Sequence, residues 1–201
     1  MSTPDRLVVG LTGSSAPQLG LALLRALRDL PQVETHLVVS RGAQRSLRLE
    51  AEVTVEDVEA LADVSYRNDE LGAAISSGSF PTIGMVVMPC SMRTLAAIAT
   101  GVTSDLVSRA ADVTLKERRR LVVVPRETPL NLVHIRNMET ITLAGGVVLP
   151  PVPAFYHRPR TIDDLLDQTV GKVLDQFALE HGLYRRWGSD ETLEPAPTRH
   201  P

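Results

Sequence analysis

Leu7-Val8-Val9-Gly10-Leu11, followed by Thr12-Gly13-Ser14-Ser15-Ala16-Pro17 and then by residues 18–30 with Leu and Ala at helical spacing, is the stretch that decides the fold. The continuous apolar run reads as a buried strand, and the spacing after the turn reads as a helix. The alternation continues along the chain. Residues 33–39 read as a second strand, with 53–62 and 69–77 helical. Residues 83–88 read as a third strand, followed by a helix over 94–100. Residues 104–120 form a longer amphipathic helix closed by Lys116-Glu117-Arg118-Arg119-Arg120, a basic run that suits a helix C-terminus. A fourth strand over 121–124, a helix over 132–143, a fifth strand over 147–149 and a helix over 162–177 complete the pattern. Continuous apolar strands separated by helices imply a parallel sheet covered on both faces. The expected fold is therefore α/β: a single-domain, doubly wound, Rossmann-like or flavodoxin-like sheet spanning 1–187. The Pro-, Glu- and Thr-rich residues 188–201 read as a mobile tail.

Composition narrows the function classes. Hydrophobic residues at 43% and charged residues at 22% of 201 give the balance of a globular chain able to bury a core. A formal charge of −3 argues against a nucleic-acid partner. No apolar run approaches the ~18 residues that span a bilayer, and Met1 to Arg6 lack a signal-peptide pattern. Cys90 is the one cysteine, so no internal disulfide forms and a reducing, cytoplasmic setting is expected. The five histidines are not closely paired, and no metal box is recognisable.

Doubly wound sheets bind ligands beyond the C-terminal ends of their strands, so the residues just after each strand carry the functional signal. Ser40 comes after strand two. Pro89-Cys90-Ser91-Met92-Arg93-Thr94 comes after strand three, Pro125-Arg126-Glu127-Thr128-Pro129 after strand four, and Pro150-Pro151-Val152-Pro153-Ala154-Phe155-Tyr156 after strand five. Hydroxyl residues at helix N-termini are good anion ligands; any one alone is an ordinary helix cap, but several on one edge suggest a site. Gly10-Leu11-Thr12-Gly13 lacks the third glycine of the dinucleotide fingerprint, and no acidic partner stands after strand two, which favours a mononucleotide. Arg109 and Lys116, seven residues apart, share one face of a helix; such a stripe either grips a phosphate or stays solvated. Arg126 and Glu127 stand at the expected ligand edge. Tyr156 either bonds a phosphate or covers the core.

At these residues the chain resembles the UbiX-type flavin prenyltransferases, including the members found in phenolic acid decarboxylase systems. The likeness runs from about residue 6 to 188. It rests on Thr-Gly-Ser-Ser at 12–15, Ser-Gly-Ser-Phe at 77–80, Pro-Cys-Ser-Met-Arg-Thr at 89–94, Arg-Ala-Ala-Asp-Val-Thr-Leu-Lys-Glu-Arg-Arg at 109–119, Arg-Glu-Thr-Pro-Leu at 126–130 and Pro-Pro-Val-Pro-Ala-Phe-Tyr-His at 151–157. The resemblance implies a reduced-FMN site at Gly13, Ser14, Ser15, Ser40, Ser91, Met92, Arg93, Thr94 and Arg126. It implies a dimethylallyl phosphate site at Lys116, Glu127, Tyr156 and Lys172, with Arg109 nearby and Trp187 closing the pocket. Ser15, Glu50, Lys116 and Glu127 take the catalytic roles, Glu50 acting with Ser15 near the flavin. The resemblance further implies prenylated FMN as product, a UbiD-type decarboxylase as its recipient, and a homododecamer with sites between subunits and no metal. Two departures stand out. The family usually reads Thr-Gly-Ala-Ser-Gly where Ser15 is here followed by Ala16-Pro17, so a stiffer turn is expected. It usually has Arg where Lys172 stands, which keeps the charge but loses the bidentate fork.

Two rival readings remain, an enzyme of the same superfamily and a non-enzymatic subunit. A flavin-dependent cysteine decarboxylase would carry a His after an early helix and Pro-Ala-Ser-Ala-Asn-Thr; this chain has no His between His36 and His134. A non-catalytic flavin-binding partner of a decarboxylase would not need Lys116, Arg126, Glu127 and Tyr156 together.

Overall fold

The computed structural model describes residues 4–188. The expected tail lies outside the described residues, Gly188 excepted. Contacts gather the chain into two compact units, Met1–Pro151 and Val152–Pro201.

The first unit carries a six-stranded, all-parallel sheet of order β3-β2-β1-β4-β5-β6. Its strands are β1 (Asp5–Leu11), β2 (Val33–Val39), β3 (Val64–Arg67), β4 (Gly84–Cys90), β5 (Arg120–Pro125) and β6 (Val147–Val148). Connecting them are α1 (Gln18–Arg28), α2 (Arg41–Glu50), α3 (Val55–Glu59), α4 (Met92–Thr100), α5 (Leu106–Lys116) and α6 (Leu132–Leu143). The doubly wound parallel fold is as expected. β1 and β4 are neighbours, in register from Leu7 opposite Gly84 to Gly10 opposite Val87. The chain winds outward from them in opposite directions, which makes their C-terminal ends the switch point where such folds bind ligands.

Side-chain alternation assigns the two faces. A Cβ on Gly10 would meet Val107 of α5, so one face of β1 looks toward that helix. On the other face Gly20 of α1 lies so close to β4 that a Cβ would fall 2.7 Å from the Met88 carbonyl oxygen. Val8, Met85, Val87, Leu121 and Val123 form the α5 side of the core together with Leu95, Leu106 and Ala110. Each fully buried aliphatic side chain contributes about 1.5–3 kcal/mol.

Four sequence expectations need correction. The strand at 64–67 is absent from the sequence pattern, because Val64-Ser65-Tyr66-Arg67 is a short edge strand with alternating burial rather than an apolar run. Residues 69–77 hold one 3-10 turn (Ala74–Ser76) in place of a helix, and Gly72, with open space around it, sits in that segment. Conversely, α2 forms where the pattern predicts no helix: it buries only Ala43 and Leu47, four apart, beneath an arginine-rich surface. The helix expected over 53–62 is confined to Val55–Glu59, with a capping box between Thr54 and Asp57.

The second unit contains α7 (Ile162–Asp175), opened by a Thr161–Asp164 capping box, and an irregular segment after it.

Candidate functional site

The strand ends meet because backbone and hydroxyl groups tie them. Thr12, buried at the end of β1, donates its hydroxyl to the Pro89 carbonyl (2.8 Å) and accepts from the Ser91 N–H (2.7 Å). This stitches β1 to β4 at the switch point. Ser14 donates to the Arg126 carbonyl at 2.7 Å, which ties the same loop to the end of β5. On the other side Gly13 lies against Gly42 at the start of α2: a Cβ on Gly13 would fall 2.7 Å from Gly42 Cα. Two glycines in backbone contact leave no room for a side chain at either place.

These ties frame a cleft of about 930 Å³, a volume typical of small-molecule and cofactor sites. Gly13, Ser14 and Ser15 line it from β1, Ser40 from β2, Ser91 to Thr94 from β4, and Arg126 and Glu127 from β5. All nine residues assigned to flavin by resemblance therefore share one cavity. Ser40 and Ser91 cap α2 and α4 by accepting from Ala43 N–H and Thr94 N–H, both at 3.2 Å. They act as helix caps and cleft residues at once, and the N-terminal ends of both helices open on the cavity. The Arg126 Nε is buried and has no partner among the described residues. A buried guanidinium N–H without a partner is a ready donor for an anionic or carbonyl group.

Ser15 and Glu50 are linked. The Ser15 hydroxyl donates to Glu50 Oε2 at 2.7 Å, and the Ala16 N–H donates to the same oxygen at 3.0 Å. These two bonds, the serine's being the stronger influence, hold the Glu50 carboxyl below its ordinary range. Glu50 is thus a carboxylate at neutral pH that accepts the serine's hydrogen bond and turns the lone pairs of Ser15 elsewhere. The loop reaches this geometry with Ala16 at φ +67. That is left-handed backbone, where the usual family Gly would be unstrained.

Glu127 accepts the Thr128 N–H at 3.0 Å. Arg109 and Lys116 do not line the cleft. Arg109 donates to Asp112 (2.9 Å) and to the Ser76 carbonyl (3.2 Å). Lys116 pairs with Glu117 against Gly78, half-exposed. In the second unit Tyr156 and Trp187 meet edge to face, their ring centres 5.8 Å apart, and Lys172 lies on α7.

The structure adds residues that no sequence motif singles out. Asn68, just past β3, accepts Leu106 N–H with its carbonyl (2.8 Å) and Val107 N–H with its side chain (3.2 Å). It thereby fastens the start of α5 beside the cleft. Arg67 and Asp69, a bidentate pair at 2.7 and 3.0 Å, line the same wall with Tyr66. All belong to the edge strand or its exit. Asp105, which caps α5, is legible as Asp-x-x-Ser ahead of an apolar run. Cys90 is buried and its thiol is pushed up by burial alone, which makes it inert.

Known proteins agree with this geometry. Residues 1–174 match the family described as Flavoprotein. The flavin prenyltransferase UbiX of Escherichia coli (strain K12) is 52% identical over 184 residues, covering 90% of this chain and 97% of that protein. A Streptomyces sp. (strain D7) protein named "Probable UbiX-like flavin prenyltransferase" is 54% identical over 182 residues, covering 90% of this chain and 91% of its own. The crystal structure of AnUbiX (PadA1) in complex with FMN and dimethylallyl pyrophosphate superposes with a TM-score of 0.91 at 51% identity, covering 93% of this chain and 99% of that one. The peptidyl-cysteine decarboxylase EpiD, at 15% identity and a TM-score of 0.63, shares the fold alone. With more than half of the aligned residues identical to such relatives across nearly their whole length, and with the motifs at 12–15, 89–94 and 126–127 lining one cleft, this chain belongs to the UbiX-type flavin prenyltransferase family.

Proposed function

We propose that this protein joins a dimethylallyl group from dimethylallyl phosphate to reduced FMN, giving prenylated FMN. The observation that carries the reading is the convergence of Ser15, Ser91, Arg126 and Glu127 from three strand ends on one cleft. The residues present fit the flavin. The backbone-to-backbone contact of Gly13 and Gly42 leaves a floor without side chains. The capped starts of α2 and α4 suit an anion, and the unpartnered Arg126 Nε supplies a donor.

Reduced FMN, when bound, supplies the nucleophilic ring nitrogen; the chain supplies orientation and charge. As the allylic C–O bond breaks, negative charge collects on the departing phosphate. Arg109, Lys116 and Lys172, with Glu127 and Tyr156, are assigned to that phosphate, where fixed cations stabilise the transition state. Ring closure must release a proton. Glu127 with the retained phosphate, and Ser15 with Glu50, are the acid–base groups assigned to its removal and relay. Trp187 would shelter the developing allyl cation through its π-face.

Arg109 and Lys116 lie off the cleft, which supports a site completed between copies. The E. coli O157:H7 structure described as a dodecameric FMN-dependent UbiX-like decarboxylase is 52% identical, with a TM-score of 0.89; a dodecamer is proposed for this chain too. The exposed Leu132, Val133, Ile135 and Leu143 of α6 support such an assembly, because large apolar side chains exposed together on one helix suit an interface. We take residues 1–187 as one functional domain and a cytoplasmic UbiD-type decarboxylase as recipient of the product. No helix among the described residues is long and apolar enough to cross a membrane.

The test is anaerobic incubation with reduced FMN and dimethylallyl phosphate, followed by mass spectrometry of the flavin. The flavin mass should rise by one five-carbon dimethylallyl unit. An unaltered flavin with both substrates bound would overturn the reading.

A further inference from the structure

Asp175, the last residue of α7, holds together a cluster that the reaction scheme leaves unexplained. Its Oδ1 accepts from Arg186 (2.7 Å) and His181 Nε2 (3.1 Å). Its Oδ2 accepts from the Tyr184 hydroxyl (2.7 Å) and lies 3.7 Å from the Lys172 ammonium. The Leu183 N–H donates to His181 Nδ1 at 3.3 Å, which places the ring proton on Nε2, facing the carboxylate. Three donors from one short stretch of irregular chain thus converge on one carboxylate a turn beyond Lys172.

The helix is shaped to receive them. Gly171 lies inside α7, where glycine costs about 0.5–1 kcal/mol relative to alanine. A Cβ there would fall 2.5 Å from two carbons of the Tyr184 ring and 2.6 Å from His181 Cε1. The missing side chain is the space those rings occupy. The residue after Arg186 is Trp187, whose ring meets Tyr156 edge to face.

We propose that Asp175 is a positioning residue. It fastens the 181–187 segment to α7, and through that segment sets Trp187 against Tyr156 and the reach of Lys172. The inference rests on the assignment of Tyr156 and Lys172 to the allylic phosphate and of Trp187 to the allyl group. It accounts for how a lysine serves where the family usually has arginine. Lysine lacks a rigid fork, so its direction must come from a neighbour, and the Asp175 carboxylate is that neighbour. With Arg186 closer to the carboxylate, the half-exposed Lys172 ammonium is oriented but not consumed.

Trp187 is the one tryptophan in the chain, so intrinsic fluorescence reports this segment directly, without turnover. In Asp175→Asn, which keeps the side chain's size but removes its charge, the Trp187 ring, already 68% exposed, should lose its hold on Tyr156, and its fluorescence anisotropy should fall. The KM for dimethylallyl phosphate should climb at least about tenfold and kcat should fall with it, because Lys172 and Trp187 are assigned to the transition state, while FMN affinity stays within about twofold. Gly171→Ala, which leaves every polar partner in place but evicts the rings, should shift both readouts the same way. If Asp175→Asn does not fold, Tyr184→Phe serves as the milder variant with the same expected directions. Unchanged anisotropy, or lowered anisotropy with an unchanged KM, overturns the proposal while the functional reading stands. A wild-type protein that transfers no dimethylallyl group overturns the functional reading first.

Discussion

Among single residues, Ala16 in the first loop departs from the family pattern at a measurable strain. It adopts φ +67 to present its N–H to Glu50. A left-handed alanine costs about 1–2 kcal/mol, partly offset by the greater unfolded-state freedom of glycine. Ala16→Gly should therefore raise stability by roughly 0.5–1 kcal/mol in urea unfolding, with the Ser15–Glu50 bond retained. Pro17, the N-cap of α1, follows directly, so the left-handed alanine stands beside a residue whose own φ is fixed by its ring. Glu127 belongs to the same level. Glu127→Gln keeps the Thr128 N–H bond but cannot accept a proton, so prenyl transfer should fall about 10²-fold or more with FMN still bound. Single-turnover kinetics beside a flavin-binding titration separates the two effects.

Among the elements, α2 is a lightly anchored support of the cleft. It starts after Ser40 and ends at Glu50, yet only Ala43 and Leu47 are buried. Leu47→Ala should cost about 2–5 kcal/mol, and FMN affinity should drop with it, because the Gly13–Gly42 contact depends on the same packing. Calorimetry and flavin titration on the one variant test both. For α7 the sign of an acid effect can be worked out. Burial pushes the Asp175 carboxyl up, but the hydrogen bonds from Arg186, Tyr184 and His181 outweigh it and hold it down at about 2, from an ordinary 3.8. A depressed carboxyl contributes stability that is complete above about pH 4 and is lost as pH falls toward about 2. The gap in urea midpoint between the wild type and Asp175→Asn should be constant above about pH 4 and close toward about pH 2.

In the molecule as a whole, α6 leaves Leu132 and Val133 more than half exposed, and burying them between copies gives them a partner. Val133→Glu should shift sedimentation toward smaller species, and prenyl transfer should fall in parallel because Arg109 and Lys116 lie off their own cleft. A variant that dissociates yet keeps full turnover would show the site to be complete within one chain.

The fold class and the sheet edge on which the cleft opens are legible in the residues alone, whereas the assignment of residues to flavin rests on the family resemblance. Continuous apolar runs such as 7–11 and 83–88 cannot be solvated, so they declare central parallel strands, and the motif at each strand end then falls on one edge. The edge strand Val64–Arg67 and the helix Arg41–Glu50 are not legible, because each buries too few side chains to leave a periodic apolar signal. Asn68, Arg67 and the wall they build stay hidden with them. Which hydroxyls are ties and which are ligands emerges only once the chain is folded. Thr12 and Ser14 are spent on the Pro89 and Arg126 carbonyls, and Ser15 on Glu50, thirty-five residues away. Hydrogen bonds across such separations depend on how the sheet winds, a property that no local run of residues encodes.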